Sequence, residues 1–187
     1  MTQDLLFALV GFAFATSVTP GPNNMMLLAS GVNFGLRRTV PHMLGVSLGH
    51  ALMVFLVGIG LAGVFVAFPA LSVVLKVASA VYMLWLAWKI ATSAPKGPGA
   101  AAGRPFTFAQ AAAFQWVNPK AWAMALSATT IYAPGPSVGA MALVAVVFAA
   151  VNLPSVAVWA ALGQGLRRWL AEGARLRAFN ITMAVLL

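Results

Sequence analysis

The chain has no cysteine and only two acidic residues, Asp4 and Glu172, among 187. The missing cysteine excludes disulfides, thiol redox chemistry and thiolate metal sites. The scarcity of carboxylates leaves no Asp–Asp pair for acid–base chemistry, and with only two histidines it is thin provision for a transition-metal site. Charge of either sign is rare. Charged residues make up 7% and hydrophobic residues 62%, against about 25% and about 45–50% in a soluble domain. So little polar surface cannot cover a globule in water, and the composition is that of a membrane protein.

The net charge of +9 could suggest nucleic acid as a partner. The basic residues, however, lie in short gaps between apolar runs, without a basic stripe interleaved with aromatics. That layout argues against nucleic acid and fits topology signals. The N-terminal "MTQDLLFALV" lacks the basic n-region of a signal peptide, so the apolar run behind it is expected to be a retained first span.

A helix rises about 1.5 Å per residue and the bilayer core is about 30 Å thick, so a span needs about 20 residues. Six runs are candidates: Leu5 to Phe34, Met43 to Phe68, Leu71 to Ile90, Phe106 to Ile131, Val138 to Leu162, and a sixth from Leu176 to Leu187. The sixth reaches only about 18 Å and is expected to be a truncated helix. Arg37 and Arg38 fall in the first gap, Lys89, Lys96 and Arg104 at or in the third, and Arg167, Arg168, Arg175 and Arg177 in the fifth. Nine of the eleven Lys and Arg thus lie on one side of a six-span path. By the positive-inside rule that side is cytoplasmic and the N-terminus periplasmic. Trp85, Trp88 and Trp169 fall near the cytoplasmic interface. Lys76, near the outer start of the third span, is expected to snorkel.

Two spans are interrupted. "SVTPGPNNMML" (Ser17 to Leu27) breaks the first and "FQWVNPKAWAM" (Phe114 to Met124) breaks the fourth. Pro20 and Pro119 are 99 residues apart, and the same offset carries Pro41 onto Ala140, each at the start of a span. The expected fold is therefore all-α: one polytopic membrane domain, 1–187, of six transmembrane helices in two inverted three-helix repeats. The repeats are 1–93 and an incomplete 106–187, with a cytoplasmic linker at 94–105, and helices 1 and 4 are broken. Paired interruptions in two inverted halves point to a transporter's binding site.

Thr19-Pro20 and Asn118-Pro119 each resemble an N-cap followed by proline at the first helical position. The first amides of a half-helix lack acceptors and carry partial positive charge, which suits a carboxylate. Pro20 and Pro22 have no N–H, so Gly21, Asn23 and Asn24 are the donors expected at the first break. The side chains of Asn23, Asn24 and Asn118 offer donors and acceptors to an ammonium or hydroxyl. Lys120 is a cation inside a predicted span, a functional candidate by position. The substrate-binding set is thus Thr19, Pro20, Gly21, Pro22, Asn23, Asn24, Asn118, Pro119 and Lys120. The competing reading is two structural kinks, since proline and glycine are commoner in membrane helices than in soluble ones. The matched pair, with its caps and clustered asparagines, favours a site.

His42 and His50, eight residues apart, are candidates for proton coupling. A satisfied interfacial or a packed histidine is the commoner role and the favoured expectation. No predicted span contains an acid, so coupling would use a histidine, an inward-folded Asp4 or the substrate itself. "VNLPS" (Val151 to Ser155) is expected to kink the fifth span rather than to line a cavity. Gly31-x-x-x-Gly35 and Gly45-x-x-x-Gly49 are expected to let helices approach closely.

"TPGPNN", "VNPKAW", the basic "FGLRR" and the "LGQGLRRWL" before the last run are similar to the signature segments of the LysE/RhtB superfamily of amino-acid exporters, over essentially the whole chain. The resemblance implies export of a small zwitterionic amino acid or derivative across the bacterial inner membrane. It implies protons as the coupling ion, no cofactor and no resident metal, and leaves room for a homo-oligomer. Members typically carry a longer sixth helix. A transition-metal exporter and an integral membrane enzyme are the rival readings. The first lacks ligand clusters and the second an evident nucleophile with its base.

Overall fold

The apolar runs fold as helices whose interruptions follow proline and glycine. The computed structural model describes residues 1–92, 104–133, 135, 137–171 and 173–186. Lys96, Glu172 and all of the 94–105 linker except Arg104 and Pro105 lie outside the described residues. Helix α1 (Gln3–Val18) is followed by α2 (Pro22–Phe34), bent from it by 56°. Gly35 alone joins α2 to α3 (Leu36–Leu56); its φ of 79° is one that glycine adopts without a Cβ clash. The chain continues through a π-helical turn, Val57–Leu61, into α4 (Ala62–Ala67), with Gly60 at φ 125° making the kink. After α5 (Pro69–Ala91), the Thr107–Gln110 capping box starts α6 (Phe108–Phe114). A 3-10 turn, Gln115–Val117, and Asn118 separate α6 from α7 (Pro119–Ile131). The 29-residue α8 (Val138–Leu166), a second 3-10 turn and α9 (Gly173–Val185) complete the order.

Three helical stretches are long and apolar enough to cross a bilayer: Leu36–Ala67, Pro69–Ala91 and Val138–Leu166. The bent α1–α2 pair makes a fourth. The protein is an all-α, multi-pass membrane protein. The expected fourth span is split into α6 and α7. At 13 residues, α7 and α9 each reach about 20 Å, short of the bilayer core when taken alone. Two boundaries also differ from expectation. Arg37 and Arg38 occupy the first turn of α3 rather than a loop, because one glycine makes the whole reversal and the Gln164 side chain accepts the Leu36 N–H at 2.6 Å. Pro154 does not interrupt α8. Ser155 bonds back to the Val151 carbonyl at 2.8 Å and Ser47 of α3 donates to the Ala149 carbonyl at 3.1 Å, one residue to either side of the Ala150 carbonyl that the missing proline N–H leaves without its helical donor.

Within lipid, helices associate through close packing more than through an aqueous hydrophobic effect. A Cβ on Gly31 would strike the Ala160 carbonyl and one on Gly163 the Leu28 carbonyl, so α2 and α8 meet backbone to backbone. Gly45 and Gly49 admit α6 in the same way, against Phe108 and Ala112. The main core joins α1, α3, α7 and α8 through Leu9, Met53, Ala125 and Phe148. Helix α5 buries only Ser79 and Leu86 and presents Val73, Val77, Val81 and Leu84 outward, a lipid-facing pattern.

Candidate substrate site at two helix breaks

Each proline disfavours helical backbone in the residue before it. Thr19 (φ −63°, ψ 144°) and Gly21 (φ 176°, ψ 176°) are accordingly both extended. With prolines two residues apart, the helix can resume only after the second. Gly21 is therefore the N-cap and Pro22 the first helical residue, not Thr19 and Pro20 as the sequence suggested.

The end of α1 exposes carbonyls that need donors. The Thr19 N–H reaches the Ala15 oxygen at 3.2 Å and the Thr19 hydroxyl the Thr16 oxygen at 3.1 Å. Asn24 Nδ2 donates to the oxygens of Ser17 at 2.9 Å and Thr19 at 2.6 Å, and Trp159 Nε1 to that of Val18 at 3.1 Å. Lys120 Nζ, from the other break, donates to Thr19 O at 2.8 Å, Thr19 Oγ1 at 2.9 Å and Pro20 O at 3.3 Å. Every carbonyl from Ala15 to Pro20 is thereby satisfied, and a cation sits at the negative end of α1, where the helix dipole favours it.

The start of α7 closes on itself. Asn118, 1% exposed, accepts the Lys120 N–H on its side chain at 3.1 Å and the Ala121 N–H on its carbonyl at 3.0 Å, and Pro119 has no N–H to satisfy. The start of α2 has no side-chain cap. Its first helical bond is Met25 N–H to Gly21 O at 3.0 Å, which leaves the amides of Asn23 and Asn24 without acceptors inside the helix. Lys120 lies over this start: a Cβ on Gly21 would stand 2.9 Å from Lys120 Cδ and 3.2 Å from Nζ. The expected pair of open helix starts is thus one open start with a cation supplied by the other break.

The asparagines at the first break mostly bind the protein itself. Asn24 caps α1 as described. Asn23 exchanges two hydrogen bonds with Gln115, at 2.9 and 3.1 Å, and Gln115 also donates to the Ala111 oxygen at 2.9 Å. Gln115 is fully buried and was missed in the sequence, although a lone glutamine three residues before Asn118 in an apolar run was a visible signal.

Gly21, Asn23, Asn24, Asn118 and Lys120 line one small cavity with Thr16, Ser17, His50, Ala121, Met124, Asn152 and Val156. Its volume of about 20 Å³ admits roughly one water molecule and no larger solute, so the site is closed in this structure. Thr19 and Pro20 are exposed and act through the oxygens that hold Lys120. Pro22 sets the start of α2, and Pro119 faces a separate, largely apolar cavity of about 660 Å³ between α4, α5 and α7, which also reaches Lys76.

The two histidines part company. His50 lines the small cavity and meets Phe148 edge-on at 5.3 Å; His42 packs against Phe106 at 5.4 Å, away from it. Both are 2% exposed and packed against an aromatic ring, as the favoured reading allows, but no ring nitrogen of either has a hydrogen-bond partner among the described residues, so neither is satisfied. Asn152, discounted as part of a kink, donates to Ser17 Oγ at 3.0 Å, and its Oδ1 is unpartnered. Unpaired buried polar atoms cost about 1–3 kcal/mol each, so a cluster of them around one cavity is not incidental. Among the described residues no group of three or more His, Cys, Asp or Glu gathers to hold a metal.

The family model for LysE type translocators matches residues 14–187, which takes in both breaks and the cavity. Cysteine/O-acetylserine efflux proteins of Escherichia coli, Shigella sonnei and Shigella flexneri are each 35% identical over 191 residues, covering 100% of this chain and 95% of theirs. No solved structure matches. With both signature breaks inside the matched region, the chain belongs to the LysE-type translocator family, membrane transporters rather than enzymes.

Proposed function

We propose that this protein is a secondary active exporter that moves a small amino acid or derivative, of the cysteine and O-acetylserine class, across the bacterial inner membrane at the expense of the proton-motive force. The observation that carries this reading is the uncapped start of α2 with the Lys120 ammonium above Gly21. A carboxylate placed there meets free amides, a helix dipole and a cation together. The relatives' efflux of cysteine and O-acetylserine supplies the substrate class.

The proposed architecture is six spans in two inverted halves, 1–93 and 106–187, with the basic ends cytoplasmic and the N-terminus periplasmic. In support, Gly35, which precedes Arg37 and Arg38, lies beside Gln164 and Arg167 at the end of α8, so two of the basic gaps meet at one end. In alternating access the broken helices separate and rejoin. Lys120 is the latch between them: a substrate carboxylate replaces the Thr19 and Pro20 oxygens as its partner, so binding loosens the closed arrangement.

An export assay in proteoliposomes tests this. Charged hydrogen bonds contribute about 1.5–3 kcal/mol, so Lys120→Ala should weaken substrate binding by about tenfold to a hundredfold. Gly21→Leu should block the site. Unchanged transport in both variants would remove the assignment.

A further inference from the structure

The small cavity has a second set of polar groups that the carboxylate site leaves unused: Ser17 on α1, His50 on α3 and Asn152 on α8. All three are buried, at 3%, 2% and 5% exposure. The only hydrogen bond among them runs from Asn152 Nδ2 to Ser17 Oγ, at 3.0 Å. It orients the amide and leaves Asn152 Oδ1 free, and both His50 nitrogens are also without partners among the described residues. A neutral imidazole offers one acceptor nitrogen, and the amide oxygen offers more. Unpaired acceptors therefore line the same space as Gly21 and Lys120, which bring donors and positive charge; the remaining polar side chains there, Thr16, Asn23, Asn24 and Asn118, are already bonded within the protein. A cavity with acceptors in one part and cationic donors in another matches a molecule that is itself anion and cation, an α-amino carboxylate.

We propose that Asn152 Oδ1 and the neutral His50 imidazole bind the α-ammonium of the exported amino acid, and that a proton on His50 excludes that ammonium. Substrate and proton then occupy His50 in turn, which couples them by direct competition. The proposal rests on the carboxylate site described above, because it places the other end of the same molecule. The charges around His50 allow such an exchange. Helix α7 contributes Lys120 to the cavity, whereas α1, α2 and α8 contribute only neutral groups, and His42 on α3 itself lies outside the lining. Among the described residues no carboxylate faces His50 to hold a proton there permanently, nor to trap an ammonium, so both ligands can leave.

Cysteine and 3-mercaptopropionate differ by the ammonium alone, and their affinities for the purified full chain in detergent separate the two subsites. The ratio of the two affinities, measured on one preparation, does not depend on the fraction that is folded. The wild type should prefer cysteine at least tenfold at about pH 7 and lose that preference progressively as the pH falls through and below a histidine's ordinary range. Asn152→Ala should reduce the preference toward one while leaving 3-mercaptopropionate binding in place. His50→Gln should make the preference independent of pH. A preference that survives both substitutions, or keeps its pH dependence in His50→Gln, overturns the proposal. Failure of the underlying carboxylate site looks different: Lys120→Ala would then leave the binding of both compounds unchanged.

Discussion

The two helix breaks share a proline at the first helical position and differ in the residue before it. Gly21 precedes Pro22, and Asn118 precedes Pro119. An asparagine side chain caps the helix it starts; a glycine has nothing to cap with. The second break is consequently self-contained and works as scaffold, sending Lys120 across to the first. The first satisfies the carbonyls of α1 with side chains from α2, α7 and α8 and keeps the amides of α2 open. One residue before the proline thus decides whether a half-helix start is closed by its own side chain or left open.

Giving the first break the cap of the second should produce the largest effect. Gly21→Asn places an acceptor on the open amides and pushes against Lys120, and it should abolish measurable export while the protein still elutes as a folded species. Lys120→Gln keeps length and some hydrogen bonding but loses the charge. It should lower transport by about tenfold or more, as loss of a charged hydrogen bond predicts, with lysine restored at that position as the control. Gln115→Leu strands the Asn23 amide and should destabilise the detergent-solubilised protein by about 1–3 kcal/mol. Adding Asn23→Leu should recover part of that loss, and a double-mutant cycle by thermal unfolding reads the coupling. Asn118→Ala removes only a cap. It should cost about 1 kcal/mol of stability, with a smaller effect on transport than any change at Gly21. Equal transport defects at Asn118 and Gly21 would break the comparison.

Much of this was legible in the sequence because it is local. The apolar runs, the two proline breaks and the small-residue contacts of Gly31, Gly45 and Gly49 follow from composition and spacing. The start of α2 was misplaced by two residues because Thr19-Pro20 and Gly21-Pro22 both satisfy the cap-and-proline pattern, and only the second proline decides. Contacts between distant elements were not legible. Gln115 meets Asn23 and Asn152 meets Ser17 across 92 and 135 residues, and nothing local announces either pair. His42 and His50 are separated by eight residues, which places them within about 80° of one another on a helix, so the pattern cannot rank them. They differ because the cavity lies at the level of His50. The continuity of α8 through Pro154 was likewise hidden, since a proline inside an apolar run can either bend a helix or end it, and the local pattern does not decide.

The central claim is that a carboxylate sits between the open start of α2 and Lys120. The most direct measurement compares binding of cysteine with binding of cysteamine, which lacks only the carboxylate, in the wild type and in Lys120→Ala. The account predicts a strong preference for cysteine in the wild type that collapses toward equality in the variant. An undiminished preference in Lys120→Ala would contradict it.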